Sequence, residues 1–407
     1  MIKPSKWRNV FALFTLLLLS ASAILSCSSS GASSDLADDG QPAGTPGDTG
    51  AQEDNYDFPI AVWLQQPALA KAYQAIGINL YIGLWQGPTE AQLTALQAAG
   101  MPVICSQNEF ALQHLAQYGD TIVGWMHDDE PDNAQWNSTT SSYDPCIAPS
   151  VIVSDYNEWK SKDPTRPVFL NFGQGVANVD WIGRGTCTGQ TDMYPEYIEG
   201  SDILSFDIYP VTSDRPNVQG NLWYVAEGVK NLRLWSNDEK PVWTWIETTH
   251  INGQTQPTPA QVETEVWMAL IHGAKGIGYF CHEWYPAFND HALLDDSGMA
   301  HAVSLINAQI TELAPLLNRT GLDDHLLVET TDGVPVAAMY KSRQNQYYIF
   351  AVNMRDEMTT ATFDISSKST AAQIEVLYEN RNIDVSSGMF QDQFNAYAVH
   401  RYRFSVQ

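Results

Sequence analysis

Two acidic segments contain side chains that could do chemistry. The segment "HDDEP" (127–131) directly follows the apolar stretch "TIVGWM" and places Asp129 beside Glu130. Glu247 closes a second apolar stretch, "PVWTWIE". Neighbouring charges and partial burial raise the pKa of a carboxyl group, which lets it hold a proton near neutral pH. A protonated carboxyl and an ionised one are the acid and the base that a hydrolytic reaction needs.

The elements that must position these groups form a repeating pattern. After Tyr56, short apolar runs alternate with longer amphipathic stretches, which is typical of a parallel sheet whose outer face is covered by helices. We therefore predict a (β/α)8 TIM barrel over residues 56–321. The alternative is an open doubly wound sheet, but no Gly-rich phosphate loop follows any run. The eight strand-like runs are 58–65, 78–85, 101–107, 121–127, 167–173, 202–210, 241–247 and 276–284.

The pattern changes towards the C-terminus. Residues 322–407 contain six short strand-like runs with turn residues between them and hardly any helical period. The runs are 326–332, 334–342, 346–354, 359–365, 371–379 and 396–404. They predict a small antiparallel β-sandwich, an accessory domain that braces the barrel or adds a ligand-binding surface. Bracing is the preferred interpretation.

The strand count places both glutamates at one end of the barrel. Catalytic groups of such barrels lie at the carboxyl ends of the strands. Glu130 falls just past strand four, and Glu247 ends strand seven. Two carboxyl groups in one pocket are the machinery of glycoside hydrolysis, in which one protonates the leaving oxygen and the other attacks or activates water.

Glutamates that close strands four and seven of an eightfold barrel resemble clan A of the glycoside hydrolases, which are retaining enzymes. The resemblance implies that Glu130 is the acid/base and that Glu247 is the nucleophile. Tyr209, in the "DIYP" motif of strand six, matches a tyrosine that hydrogen-bonds the nucleophile in such enzymes. Trp284, after strand eight, matches the tryptophan that forms the floor for the sugar.

The chain departs from the clan at one position. Clan A usually has Asn before the acid/base, whereas this chain has Asp129, which can accept but not donate a hydrogen bond when ionised. The departure bears on the subfamily and the sugar. Further substrate-binding candidates at strand ends are Asn171, Asp207 and His250.

Other acids near Glu130 have plainer interpretations. Asp128 and Asp132 are expected to be solvated loop charges or helix N-caps. A Ca²⁺ site made from the four acids Asp128, Asp129, Glu130 and Asp132 is an alternative, but the Gly and spacing of a calcium loop are absent. No metal or other cofactor is expected.

The composition limits the class of ligand. The 407 residues include 21 Lys+Arg against 47 Asp+Glu, which gives a formal net charge of -26. This charge would repel nucleic acids and anionic bilayers, and it favours a neutral ligand such as a carbohydrate. We expect a monomer.

The N-terminus predicts export. Residues 1–27 have a basic start, an apolar core and the ending "ILSC", which resembles a bacterial lipobox with Cys27 as the lipidated residue. Cleavage near Ala21 or Ala23 as an ordinary signal peptide is the alternative. Residues 28–55 predict a disordered acidic linker. We therefore expect a protein anchored to the cell envelope through its lipid alone.

The remaining cysteines divide into two kinds. Cys146 and Cys187 lie in loop-like segments and could form one disulfide in an oxidising compartment. Cys105 and Cys281 lie in apolar runs, where a buried free thiol is the commoner state.

These patterns favour a retaining glycoside hydrolase that acts on a neutral β-linked polysaccharide or oligosaccharide, with a β-glucan as the best candidate. An inactive carbohydrate-binding surface lipoprotein is the alternative. An acidic tethered scaffold ranks last, because it would not explain glutamates after both strands four and seven.

Overall fold

The structure is a computed structural model that describes residues 57–251, 253–319 and 327–405. The signal segment, Cys27 and the linker over 28–55 lie outside the described residues. Within the described part of the chain, no helix is both long and apolar enough to cross a membrane.

Eight parallel strands form a closed barrel, which confirms the predicted fold. Each strand lies inside one of the eight predicted runs, and strand eight pairs with strand one to close the sheet. Barrel strands one to eight are Ile60–Trp63, Leu80–Ile82, Val103–Cys105, Ile122–Met126, Val168–Phe172, Ile203–Asp207, Val242–Glu247 and Gly276–Phe280.

Helices follow the strands as the amphipathic stretches predicted. The helix Pro259–Ile271 begins with a capping box, in which Thr258 and Gln261 bond each other's backbone amides, and with Pro259 in its first turn. The α-helices are Ala70–Ala75, Glu90–Ala99, Glu109–Gln113, Leu115–Tyr118, Pro149–Lys162, Met193–Ile198, Trp223–Trp235, Pro259–Ile271, Ala292–Asp295 and Ser297–Leu317. Short 3-10 helices span Pro67–Leu69, Gln174–Val176 and Ile182–Cys187.

The barrel interior is filled by side chains. Along strand seven, Trp243 and Trp245 belong to the inner core, whereas Val242 and Ile246 belong to the core between strands and helices. A Cβ on Gly278 would lie 2.1 Å from the Trp245 ring, so strand eight needs glycine there. Because the lumen is packed, a ligand site can form only at a mouth of the barrel.

The C-terminal region forms two antiparallel sheets around a shared core that includes Phe363, Phe390 and Tyr402. Two of its strands, Arg381–Asp384 and Met389–Phe394, were not among the predicted runs. One sheet has the order Leu327–Thr330, Thr359–Asp364 and Met389–Phe394. The other has the order Val336–Arg343, Gln346–Asn353, Val399–Ser405, Gln373–Val376 and Arg381–Asp384.

The helix Pro259–Ile271 joins these sheets to the barrel. Its Thr264 hydroxyl donates to the backbone oxygen of Tyr397 at 2.8 Å. The Arg401 guanidinium donates to Glu263 at 2.8 Å. The Trp267 ring stacks on Phe350 with 5.2 Å between centroids. These contacts fit a bracing role for the C-terminal domain.

Residues 136–144 form a separate small unit. Strand Gln135–Asn137 pairs with Ser142–Asp144 as a two-stranded sheet, and the rings of Trp136 and Tyr143 meet edge to face with 5.1 Å between centroids.

Candidate active site

Three carboxyl groups meet at the carboxyl edge of the barrel. We call Asp129, Glu130 and Asp207 the acidic cluster. Asp207 is the last residue of strand six, and the Glu130 carboxyl contacts its side chain. Glu130 has a φ of 49°, in the left-handed region, and its amide donates to the backbone oxygen of Asn171 at 3.1 Å. Residues other than glycine rarely adopt this backbone conformation, and those that do are often found at functional sites.

Amide side chains orient two members of the acidic cluster. Asn133 Nδ2 donates to Glu130 Oε2 at 2.8 Å, and Asn171 Nδ2 donates to Asp129 Oδ1 at 2.9 Å. Asn171 is itself fixed, because Trp245 Nε1 donates to its Oδ1 at 3.0 Å. The predicted ligand candidates Asp129, Asn171 and Asp207 therefore lie together with Glu130.

All three carboxyl groups of the acidic cluster have raised pKa values. Burial, and then the charge of Asp207, raise the pKa of Glu130 well above its usual range. Burial and the charge of Asp207 also raise the pKa of Asp129, while burial raises that of Asp207. Carboxyl groups this close cannot all ionise, so the cluster titrates as a unit and keeps an acid available.

Asp132 is buried, which corrects the expectation of a solvated loop charge. It is 0% exposed, and it accepts hydrogen bonds from the Gly173 amide and the Tyr194 hydroxyl, both at 2.9 Å. Arg184, also 0% exposed, lies 3.8 Å from its carboxylate and donates to its backbone oxygen. Asp128, by contrast, is exposed. Asp132 thus ties the loop that carries Glu130 to the segments after strand five.

The disulfide lies next to this buried pair. Cys146 and Cys187 are bonded with an S–S distance of 1.98 Å, and Cys187 ends the 3-10 helix that contains Arg184. The Ile147 amide donates to the backbone oxygen of Pro131 at 2.8 Å. The two remaining described cysteines, Cys105 and Cys281, are free and buried, as predicted.

We expect Arg184→Met to destabilise the fold by about 3–5 kcal/mol, because it leaves the buried Asp132 carboxylate without a counter-charge. The control Arg215→Met removes an ion pair whose side chains are 41% and 70% exposed, and it should cost about 1 kcal/mol or less. Urea unfolding measures both free energies. Equal losses for the two variants would show that the buried pair has no special role.

Glu247, the last residue of strand seven, is fully covered. Its oxygens accept hydrogen bonds from the backbone amides of Val211 at 2.6 Å and Thr212 at 2.8 Å, and the residue is 0% exposed. Burial raises the pKa of Glu247, whereas these donors lower it. The Tyr209 hydroxyl lies within electrostatic reach of both Glu130 and Glu247, but its polar side-chain contact is with Asp207.

An aromatic row leads away from the acidic cluster. Tyr209 packs on Phe280 with 5.1 Å between ring centroids, Phe280 stacks nearly parallel on Trp284 at 5.7 Å, and Trp284 contacts Phe288 at 5.6 Å. Phe288 is 59% exposed, so the row ends in solvent. Flat rings beside polar groups suit the apolar face of a sugar.

His250 supports this row. Its Nδ1 lies 3.0 Å from Glu283 Oε2, and its backbone oxygen accepts a hydrogen bond from the Trp284 amide. The sequence pattern placed Trp284 here but missed Phe280 and Phe288. Their only signal is their position, since Phe280 ends strand eight and Phe288 lies in the loop after it.

The site shows no arrangement for a metal ion. Over the ranges that the structure describes, no group of three or more His, Cys, Asp or Glu residues could hold one. This includes the acids considered for Ca²⁺.

Comparisons with known proteins give only a likeness of shape. The sequence matches no family model and no curated protein. A family 30 subfamily 8 xylanase from Clostridium acetobutylicum is similar in structure at 12% identity, with 86% of this chain and 96% of that chain covered and a TM-score of 0.46.

Two other similar structures have different activities in their descriptions. One is the bifunctional glucanase-xylanase CelM2 from a metagenome library, at 11% identity, with 86% and 99% coverage and a TM-score of 0.49. The other is an α-amylase from Geobacillus thermoleovorans, at 12% identity, with 86% and 98% coverage and a TM-score of 0.41. With every TM-score below 0.5, these likenesses say nothing about the chemistry of this chain.

Proposed function

We propose that the protein is a retaining glycoside hydrolase that acts on a neutral β-linked polysaccharide or oligosaccharide, with a β-glucan as the best candidate. The observation that carries this proposal is the cluster of three buried or half-buried carboxyl groups, which lies beside an aromatic row at the carboxyl edge of the barrel. An acid next to a flat apolar surface is what a neutral sugar needs for binding and for leaving-group protonation.

In the proposed mechanism, Glu130 is the acid/base. In the first step it gives its proton to the glycosidic oxygen as the bond between that oxygen and the anomeric carbon breaks. Glu247 attacks the same carbon, so that a glycosyl ester forms. In the second step Glu130 takes a proton from water, and the water oxygen displaces Glu247 from the sugar.

Glu247 must become accessible for this attack. The amides of Val211 and Thr212 favour its ionised form, which suits a nucleophile, but they also hold it in a covered position. Substrate binding would therefore have to move Val211–Thr212 or turn the Glu247 side chain. Such rearrangements on closure are common in enzymes.

The burial of Glu247 also favours a second candidate function. A barrel that keeps the aromatic row while its nucleophile stays covered would bind carbohydrate without cleaving it. This is the inactive surface lipoprotein considered above.

The test incubates the full chain with neutral β-glucans, mannans, xylans and galactans and measures released reducing ends. We expect turnover of at least one glycan, most readily a β-glucan, and its loss in Glu130→Gln. Glu239→Gln makes the same change at an exposed position and should retain the parent rate. Binding without turnover on every glycan would support the inactive protein instead.

Asp207→Asn should move the alkaline limb of the kcat/KM profile to lower pH. Glu130 must be protonated to act as the acid, so activity falls as pH rises through its pKa, which the charge of Asp207 helps to raise. Removing that charge should shift the limb by about one pH unit or more. Asp214→Asn, at an exposed side chain after strand six, is the control. An unchanged limb would contradict the proposed coupling.

We also propose that the mature protein is exported and anchored to the bacterial cell envelope through lipidated Cys27. The support is the sequence pattern of residues 1–27.

A further inference from the structure

A second buried carboxyl group contacts the Glu247 side chain. Glu265 is on the helix Pro259–Ile271, on the side that faces the barrel, and it is 0% exposed. Within the described ranges, no donor makes a well-formed hydrogen bond to either of its side-chain oxygens. The polar groups that act on it are the carboxyl and the backbone amide of Glu247.

A buried carboxylate without donors is costly, whereas a neutral carboxyl can itself donate. The two glutamates differ in this respect. Glu247 receives two backbone N–H bonds that favour its ionised form, and Glu265 receives none of comparable geometry. The shared proton therefore belongs on Glu265 and the charge on Glu247.

We propose that Glu265 is a protonated positioning residue that donates a hydrogen bond to Glu247. The inference rests on the proposed function only for its catalytic consequence. The O–H donor fixes the direction of the Glu247 carboxylate, and it stabilises the charged form that attacks the anomeric carbon. Glu265 itself touches no substrate.

The helix that carries Glu265 is held from its other side by the C-terminal sheets. Glu263 bonds Arg401, and Thr264 bonds the Tyr397 backbone, next to the residue that faces Glu247. The C-terminal domain thus contacts the helix at the two residues that precede Glu265.

The first test needs no substrate. Burial, and then the charge of Glu247, raise the pKa of Glu265 above its usual range, so Glu265 stabilises the fold fully below its unfolded-state pKa. This stabilisation decreases as pH rises towards the folded-state pKa. Gln cannot ionise, so the stability that residue 265 contributes in Glu265→Gln does not depend on pH. The folding equilibrium constant of the variant, divided by that of the parent, should therefore rise by about tenfold per pH unit above about pH 4.3.

Urea unfolding of the parent, Glu265→Gln and the exposed control Glu239→Gln between pH 5 and pH 8 measures this gain. The control should follow the parent at every pH. Parallel pH dependences for the parent and Glu265→Gln would overturn the proposal, whether or not the protein cleaves any glycan.

The second test uses the catalytic rate. Glu265→Gln keeps a donor, so kcat should stay within several-fold of the parent. Glu265→Met removes the donor, so kcat should fall by about 10–100-fold, and the acidic limb of kcat/KM should move to higher pH because Glu247 becomes more basic. A merely structural role would leave that limb unchanged. Absence of turnover in the parent would count against the proposed function alone, since the unfolding result stands separately.

Discussion

Glu130→Gln is expected to lower kcat/KM on a natural glycan by about 10²–10⁴-fold, the usual contribution of a general acid. The amide has almost the same shape and keeps the contact with Asn133, but it cannot give a proton to the leaving oxygen. Initial rates on the glycan found by the panel measure the loss. The urea midpoint of the variant should stay close to that of the parent.

The leaving group gives a sharper version of this result. Dinitrophenolate leaves a glycoside of the same sugar without being protonated. The rate of bond cleavage in Glu130→Gln should therefore fall far less on this dinitrophenyl glycoside than on the glycan. Glu239→Gln should lose nothing on either substrate. Equal losses on both substrates would mean that Glu130 supports binding or folding but is not the acid.

Glu247→Gln is expected to abolish turnover on every substrate. We expect kcat to fall by about 10⁴-fold or more, as it does when the nucleophile of another hydrolase is removed. The reason is that no leaving group compensates for a missing nucleophile. This distinguishes it from Glu130→Gln, whose defect depends on the leaving group. Steady-state rates on both substrates measure the difference.

The fold of this variant needs its own control. One of the amides of Val211 and Thr212 would face the NH₂ of the new Gln and lose its acceptor, which costs about 1–3 kcal/mol. Urea unfolding of the parent and of Glu247→Gln measures this stability cost separately from the rates. If Glu247→Gln remains folded and keeps its activity, Glu247 is a structural acid.

The barrel and the positions of its acids at the strand ends could be predicted because the alternation of apolar runs and amphipathic stretches is a local feature of the sequence. Each apolar run is a strand, and the polar residues that end a run must lie at the carboxyl edge. Glu130, Asp207 and Asn171 were placed together by that rule alone. Trp284 followed from its position after strand eight.

Side-chain direction could not be predicted in the same way. Glu247 ends strand seven as expected, but its carboxylate turns towards Val211 and Thr212, which lie more than thirty residues away along the chain. Asp132 looks like a loop charge until Arg184 is brought beside it by the fold. Buried charges depend on such distant partners, which periodicity does not show.

Glu265 was missed for a related reason. In the stretch "QVETEVW" it directly follows the polar residues Glu263 and Thr264, so it looks like part of an exposed polar face. It is buried because its side of the helix faces Glu247 at the end of strand seven, a contact between residues that only the folded barrel brings together. Likewise, strands Arg381–Asp384 and Met389–Phe394 carry many polar side chains, and their pairing partners determine their conformation.

The measurement that tests the central claim most directly is covalent trapping of the glycosyl-enzyme. The parent protein is incubated with a 2-deoxy-2-fluoro glycoside that has a good leaving group and the sugar identified by the panel. Intact mass and peptide mapping then locate the label. We predict one sugar per chain, attached to Glu247, and accumulation of the label that Glu247→Gln abolishes. A label on Asp207, or turnover of the natural glycan with no trapped sugar on Glu247, would contradict the assignment of the carboxylates after strands four and seven.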